Sequence, residues 1–399
     1  MGKWNNFCSF VVPNCNAVMD QTEFTDIAPF NDEEASAALA RVANHPNVPW
    51  ISKVIFPDQP ETALADILRS LHTVDEFQDA VMCHAIEWVI SNTVHNFSYD
   101  GISKVQKTDK KYLFISNHRD IILDPAFMQI ILHRNQLPYT QIAVGDNLLK
   151  HKTVELLIRS NRMIKVIRGI SARELYLSSQ LLSKYIRETI TSGQSSVWIA
   201  QRQGRTKDGN DVTEQGLLKM FDMSGTQDFV QNFMELNLVP LSISYEYEPC
   251  DILKAREMLI SRTQKYVKGE NEDLQSIVQG IRQYKGNVHI NIGDALTEEE
   301  IREASFCDKN DRYQQIRHAV DRRVISGYQL WKTNYMAYDL VDGGNKYATE
   351  YTPEELEGFK AYIEKQLGTV EPELNREDLR DILLHIYSNP VLSKENLAV

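Results

Sequence analysis

The chain is poor in the features that would mark it as secreted, membrane-spanning or disordered. Its 5 cysteines (Cys8, Cys15, Cys83, Cys250, Cys307) are odd in number, scattered and in no CxxC spacing. That excludes a disulfide framework, offers no zinc-ligand pattern and points to a reducing compartment. No window approaches the roughly 18 uninterrupted apolar residues needed for a membrane span, and the first residues lack the basic-then-apolar layout of a secretion signal. Gly2 invites myristoylation, but Asn6 stands where that signal takes Ser or Thr. Glycine and proline are sparse, at 18 and 13 of 399 residues, and neither repeats nor low-complexity segments occur, so a folded chain is expected. Nor is there a positive excess. The balance of 43 Lys and Arg against 55 Asp and Glu leaves −12, which excludes a general nucleic-acid binder. The expected location is the cytoplasm, with peripheral contact to the inner face of the cell membrane and no span across it.

Charge is distributed unevenly. Residues 101–222 hold 19 Lys and Arg against 11 Asp and Glu, a net of +8, whereas the other 277 residues hold 24 against 44. A basic central third in an acidic chain suggests that this third meets an anion. The same third is where the texture becomes β-rich. Six short apolar runs ("YLFISN", "TQIAVG", "MIKVIRG", "SSVWIAQ", "LVPLSISYEYE", "NVHINIGDAL") alternate with helical stretches that include 125–134 and 175–191. This alternation predicts an α/β fold with a mixed, largely buried sheet flanked by helices. On either side the pattern is helical. Asn31 suits the cap of a helix over "NDEEASAALARVAN", and further helices are expected over 61–72 and 74–91. The second of these places Phe77, Val81, Ala85 and Trp88 near one face, at the three- to four-residue spacing of a helix stripe. "TEEEIREA" reads as a capping-box start, "DRYQQIRHAVDRRVISGYQLWKTNYMA" as long and amphipathic, and "NREDLRDILLHIY" as a helix near the end. The resulting partition is a loose arm over 1–30, a helical region over 31–105, an α/β domain over 106–296 and a helical region over 297–399.

Candidate chemistry begins at "FISNHRDIILD". Taken alone, this is a polar turn leading into a helix, with Asp124 at the N-cap and Pro125 at the first helical position. Later features change its weight. Arg168 ends the run "MIKVIR", and "WIAQRQGRTKDGND" gathers Arg202, Arg205 and Lys207 around Gly204 after another apolar strand. Glycine lets the backbone approach a ligand closely, and three cations within six residues suit a phosphate. Pro240 then leads a further apolar strand.

These four ordered blocks, "NHRDIILDP", "MIKVIRG", "AQRQGRTK" and "LVPLSISY", resemble those of the glycerolipid acyltransferases. The likeness is greatest to the bacterial glycerol-3-phosphate and 1-acylglycerol-3-phosphate enzymes, including "IAVGDNLL" and "ELYLSSQLLSKYI" between the blocks. It covers about residues 112–296. It implies a glycerol-3-phosphate acyltransferase-like fold and transfer of a fatty acyl group from a thioester, acyl-CoA or acyl carrier protein, to a hydroxyl of glycerol-3-phosphate or lysophosphatidate. His118 would be the general base with an aspartate behind it. Arg168, Arg202, Gly204, Arg205 and Lys207 would receive the acceptor phosphate. The implied partners are the acyl donor, a glycerol-phosphate or lysolipid acceptor and a membrane surface; no bound cofactor, metal or nucleic acid is implied. Two departures stand out. The family separates His and Asp by four residues, whereas five precede Asp124 here, so that Asp124 is the expected partner and Asp120 the runner-up. Gln203 also replaces the glutamate of the third block, and the spacer before Arg205 is missing. These departures motivate an alternative, a non-catalytic lipid- or phosphate-binding protein on a decayed acyltransferase fold.

Overall fold

The computed structural model describes residues 21–106, 109–149, 152–168, 171–269 and 271–398. Of the arm expected over 1–30, residues 1–20 lie outside the described ones. The remainder is not loose, because Phe24 and Ile27 are buried against Tyr185 and Ile164 in the main core.

Seven strands form one sheet: β1 (Val94–Asp100), β2 (Leu113–Ser116), β3 (Gln141–Gly145), β4 (Met163–Val166), β5 (Val197–Ala200), β6 (Leu238–Tyr245) and β7 (Gly286–Ile292). Their order is β1-β7-β6-β2-β5-β3-β4. β2 to β6 run parallel, while β1 and β7 are parallel to each other and antiparallel to β6. The sheet is therefore mixed, and the carboxyl ends of β2 to β6 share one edge. All six predicted strands are present. The unpredicted one, β1, has a half-exposed "VHNFSYD" without the apolar run that betrayed the others. It lies on the N-terminal side of the boundary expected at 105/106, yet it pairs with β7.

β2 and β6 are buried along their whole length, because helices cover both faces. Leu113, Ile115, Val197 and Ile199 point to helices Ala172–Thr191, Gln215–Asp222 and Asp311–Gly327, whereas Phe114, Trp198 and Val239 point to the other face with Met128 and Leu132. The two-residue period of a strand makes that division, and each such side chain contributes about 1.5–3 kcal/mol on burial. Pro240 is tolerated in a central strand because the β7 ladder begins only at Leu241 paired with Ile292. Its carbonyl still accepts from Gly293 N.

Two helical expectations are corrected. The helix from Val74 to Thr93 contains a π turn at Gln78–Met82, and the extra residue rotates the apolar stripe. The buried positions pass from Phe77 and Val81 to Cys83, Ile86 and Val89, leaving Ala85 and Trp88 partly exposed. The long C-terminal pattern splits into Asp311–Gly327 and Lys332–Asp342. Between them Tyr328 is extended, and its buried ring lies under the Arg119 guanidinium.

Candidate functional site

The site lies beyond the carboxyl ends of β2, β4 and β5, where α/β sheets commonly hold ligands. β2 delivers the chain to Asn117, whose amide is laced to β6. Its Nδ2 donates to Ile243 O at 2.9 Å, and its Oδ1 accepts from Ile243 N at 2.8 Å. His118 follows at a fixed height. Its Nδ1 lies 3.1 Å from Asp124 Oδ2, and its ring is 14% exposed while the Asp124 side chain is fully buried. The same carboxylate oxygen accepts from Arg119 N at 2.6 Å and Asp120 N at 2.9 Å. Five intervening residues are thus accommodated by a turn wrapped around Asp124.

The roles expected at the helix start are exchanged. The helix runs Leu123–Arg134 with Asp124 already inside its first turn. Asp120 supplies the cap-like contacts, its Oδ1 accepting from Ile122 N at 2.9 Å and Leu123 N at 2.8 Å. Asp120 does not pair with His118. Its Oδ2 is buried without a hydrogen-bond partner. Burial, and next the neighbouring Asp124 charge, push its carboxyl above the usual range, opposed by those backbone N–H groups and by Arg205.

The arginine loop is bonded to this turn. Gln201 N donates to Ser116 O and Thr206 N to His118 O, both at 2.7 Å. Gly204 has φ +74°, a left-handed conformation that favours glycine, and its missing Cβ faces open space. Arg202 Nε and Arg205 Nη1 are buried atoms with no hydrogen-bond partner, so this pair has donor capacity to spare. Arg168 and Arg202 line a cavity of about 180 Å³ whose walls include Val166, Leu182, Ile199 and Met220. Arg168 lies across Gly145, where a Cβ would stand 2.7 Å from its Cζ. Burial, the largest influence on it, lowers its affinity for its proton. Lys207 is not brought in with the others; its ammonium is ion-paired with Glu257. The arrangement can hold an anion beside an apolar slot, next to an imidazole whose Nδ1 is taken by a carboxylate.

Sequence reasoning missed what holds this turn. Arg119 is 1% exposed. Its guanidinium donates to Asp211 Oδ2 at 2.6 Å, Gly209 O at 3.1 Å and Glu248 Oε2 at 3.3 Å. Lys254, equally buried, donates to Glu248 Oε1 at 2.6 Å and to Arg119 O at 2.7 Å. Tyr245 OH donates to Asp124 Oδ1 at 2.7 Å. The only textual sign was charge inside an apolar context, "SYEYEPCDILKAR", with nothing to say what it would meet.

The described residues also contain one His/Cys/Asp group that the sequence did not announce. Ligand atoms of Asp79, Cys83 and His133 lie within 4.8 Å of one another. The Tyr139 hydroxyl already stands among them, 2.7 Å from His133 Nδ1, 2.5 Å from Asp79 Oδ1 and 3.3 Å from Cys83 Sγ, so these atoms satisfy one another. The group sits at the end of helix Leu123–Arg134 remote from His118.

Comparison with known proteins gives one family. The family model described as Acyltransferase matches residues 96–244, a stretch that contains β2 to β5, most of β1 and β6, and His118, Asp120, Asp124, Arg168, Arg202, Gly204, Arg205 and Lys207. No curated protein matches the chain. Among solved structures it is similar to the 1-acyl-sn-glycerophosphate (LPA) acyltransferase PlsC from Thermotoga maritima, at 14% identity and a TM-score of 0.35, over 74% of this chain and 95% of that one.

Proposed function

We propose, because residues 96–244 match the acyltransferase family model, that this chain moves a fatty acyl group from a thioester to a hydroxyl of a glycerol-phosphate-type acceptor. The donor would be acyl-CoA or an acyl carrier protein, and the acceptor glycerol-3-phosphate or a lysophosphatidate. The observation that carries this reading is the His118–Asp124 pair tied through Thr206 N to the loop of Arg202 and Arg205. A thioester is already activated, so the chemistry asks mainly for a base. Asp124 holds the proton on Nδ1, leaving Nε2 to take the acceptor hydroxyl's proton as that oxygen attacks the carbonyl. The tetrahedral adduct collapses, the C–S bond breaks and the thiolate departs. Arg168, Arg202 and Arg205 hold the phosphate so that the hydroxyl lies beside His118. Lys207, engaged by Glu257, acts only by keeping the end of the loop in place.

The acceptor and product are amphiphilic, so peripheral contact with an anionic membrane belongs to this reading. Among the described residues no helix is long and apolar enough to cross one. The test is incubation of the full chain with labelled acyl donors and a panel of acceptors, with products identified by mass. An acylated glycerol phosphate is expected, and its yield should fall about 10²–10⁴-fold in folded His118→Ala. Full activity in that variant would overturn the mechanism. Anionic-lipid binding without turnover would instead favour the non-catalytic alternative, and free fatty acid alone a hydrolase.

A further inference from the structure

Tyr245 is the last residue of β6, the strand beside β2, and its side chain is 1% exposed. Its ring packs against Phe127, 6.3 Å between centroids, on the helix that carries Asp124. The hydroxyl reaches Asp124 Oδ1 at 2.7 Å. The two oxygens of that carboxylate therefore have separate tasks. Oδ2 takes His118 Nδ1 and the N–H groups of Arg119 and Asp120, while Oδ1 has the tyrosine. Remove the hydroxyl and Oδ1 is a buried charged atom without a donor, a costly state that leaves more of the charge facing the imidazole and the torsion of the carboxylate less firmly held.

We propose that Tyr245 is a positioning residue for His118, its hydroxyl fixing the torsion of the Asp124 carboxylate and drawing off part of its charge, so that Oδ2 faces the imidazole at a set strength. This rests on the reading of His118 as the base. Tyr245 can only donate here, because burial first, and then the Asp124 and Asp120 charges, hold its hydroxyl far above the ordinary range and keep it protonated. The ionisable groups around the pair are Asp124 on the helix, Asp120 in the turn, Arg205 in the loop and Glu248 beyond β6. Trp198 meets the imidazole edge-on at 6.3 Å. None of these substitutes for a donor to Oδ1.

The test is Tyr245→Phe, which keeps the ring and loses one oxygen. With the donor gone, Asp124 becomes a stronger acceptor and the imidazolium is better stabilised. The midpoint of the His118 titration, followed by NMR on the full chain labelled at histidine and assigned with His118→Gln, should rise by about half a pH unit. The acidic limb of kcat/KM should move with it, and kcat should fall about 10-fold with little change in KM. Phe127→Leu is the control. It loosens the packing around Tyr245 and should lower Tm without moving the His118 midpoint. An unmoved or lowered midpoint in folded Tyr245→Phe, or an equal shift in Phe127→Leu, would overturn the proposal. If Tyr245→Phe does not fold, 3-fluorotyrosine introduced at position 245 serves instead. Its more acidic hydroxyl donates more strongly, so the midpoint should fall; no shift, or a rise, would overturn the proposal. The NMR measurement needs no substrate. Absence of acyl transfer by the unaltered protein would therefore count against the function and leave this test standing.

Discussion

The helices before the sheet and those after it are held to the body in different ways. Helices Asp32–Val42, Val48–Ile55, Ala63–Ser70 and Val74–Thr93 close an apolar cluster that includes Leu39, Val42, Phe56, Leu68 and Phe77 and reaches the body through Leu156, while Cys83, Ile86 and Val89 pack with Leu123 and Phe127 of the helix that carries Asp124. Their polar ties include Arg162 to Asp75, Arg134 to Glu87 and Lys285 to Thr93, and none of these bonds is made to the turn of His118. The C-terminal helices have an apolar cluster too, but they also enter the polar network behind the site. Tyr387 OH donates to Asp251 Oδ2 at 2.7 Å and accepts from Glu248 N at 3.0 Å. Asn389 Nδ2 donates to Asp208 O at 2.6 Å. Gly209, at φ +81°, lets the arginine loop lie so close to the last helix that a Cβ would stand 2.3 Å from Ile386 O. Apolar packing is non-directional and fixes a region's position loosely, whereas buried hydrogen bonds to charged groups fix angles and distances. Residues 330–398 lie outside the segment matched by the family, yet they shape the site within it.

The largest effect that would sharpen this contrast comes from Glu248→Leu. It takes from the buried Lys254 its carboxylate partner and from Arg119 one of its two, and should lower unfolding free energy by about 3–5 kcal/mol, measured by urea denaturation. Acyl transfer per folded molecule should also collapse, because the turn carrying His118 loses its anchor. Leu39→Ala is the matching cut on the other side. A cavity at this fully buried position costs about 2–5 kcal/mol, but kcat and KM of the folded fraction should stay within about twofold of the unaltered protein. A large fall in kcat there would break the contrast.

The smallest effect concerns Lys285, the buried polar tie at the end of the N-terminal helices. Its ammonium donates to Thr93 Oγ1 at 2.9 Å and Gln283 O at 2.6 Å. Burial lowers its pKa to about 8 from an ordinary 10.5. The folded protein therefore sheds this proton while the unfolded chain still holds it. Stability from this group is at its lowest below pH 8 and rises with pH between about 8 and 10.5. Urea unfolding across that range should show a more positive slope for the unaltered protein than for Lys285→Met; equal slopes would remove Lys285 as the source.

Much of the fold was legible in short range. The six apolar strands were readable because burial on both faces leaves nearly uninterrupted hydrophobic runs, and the cap at Asn31 and the capping box at Thr297 formed as read. β1 escaped because it is half exposed, and the shifted stripe after Phe77 escaped because a π turn leaves no mark in a periodicity count. Within the site, the turn, Arg168, Arg202 and Arg205 could be named from their positions after strands. Lys207 looked equivalent to the arginines in the text, and only the presence of Glu257, 50 positions on, distinguishes it.

By itself the sequence determined the alternation of strands and helices, the order in which His118, Arg168 and the arginine loop occur, and the basic balance of the central third. These depend on neighbours a few residues apart and on strand ends falling where apolar runs stop. Tertiary structure alone decided that Asp124 faces His118 while Asp120 caps the helix, that Arg119 is an anchor 92 positions from Asp211, and that Tyr245 meets Asp124 across 121 positions. The reason is physical. A buried charge or hydroxyl is acceptable only where the folded chain delivers its partner, and that partner is chosen by which strands lie side by side, not by spacing along the chain.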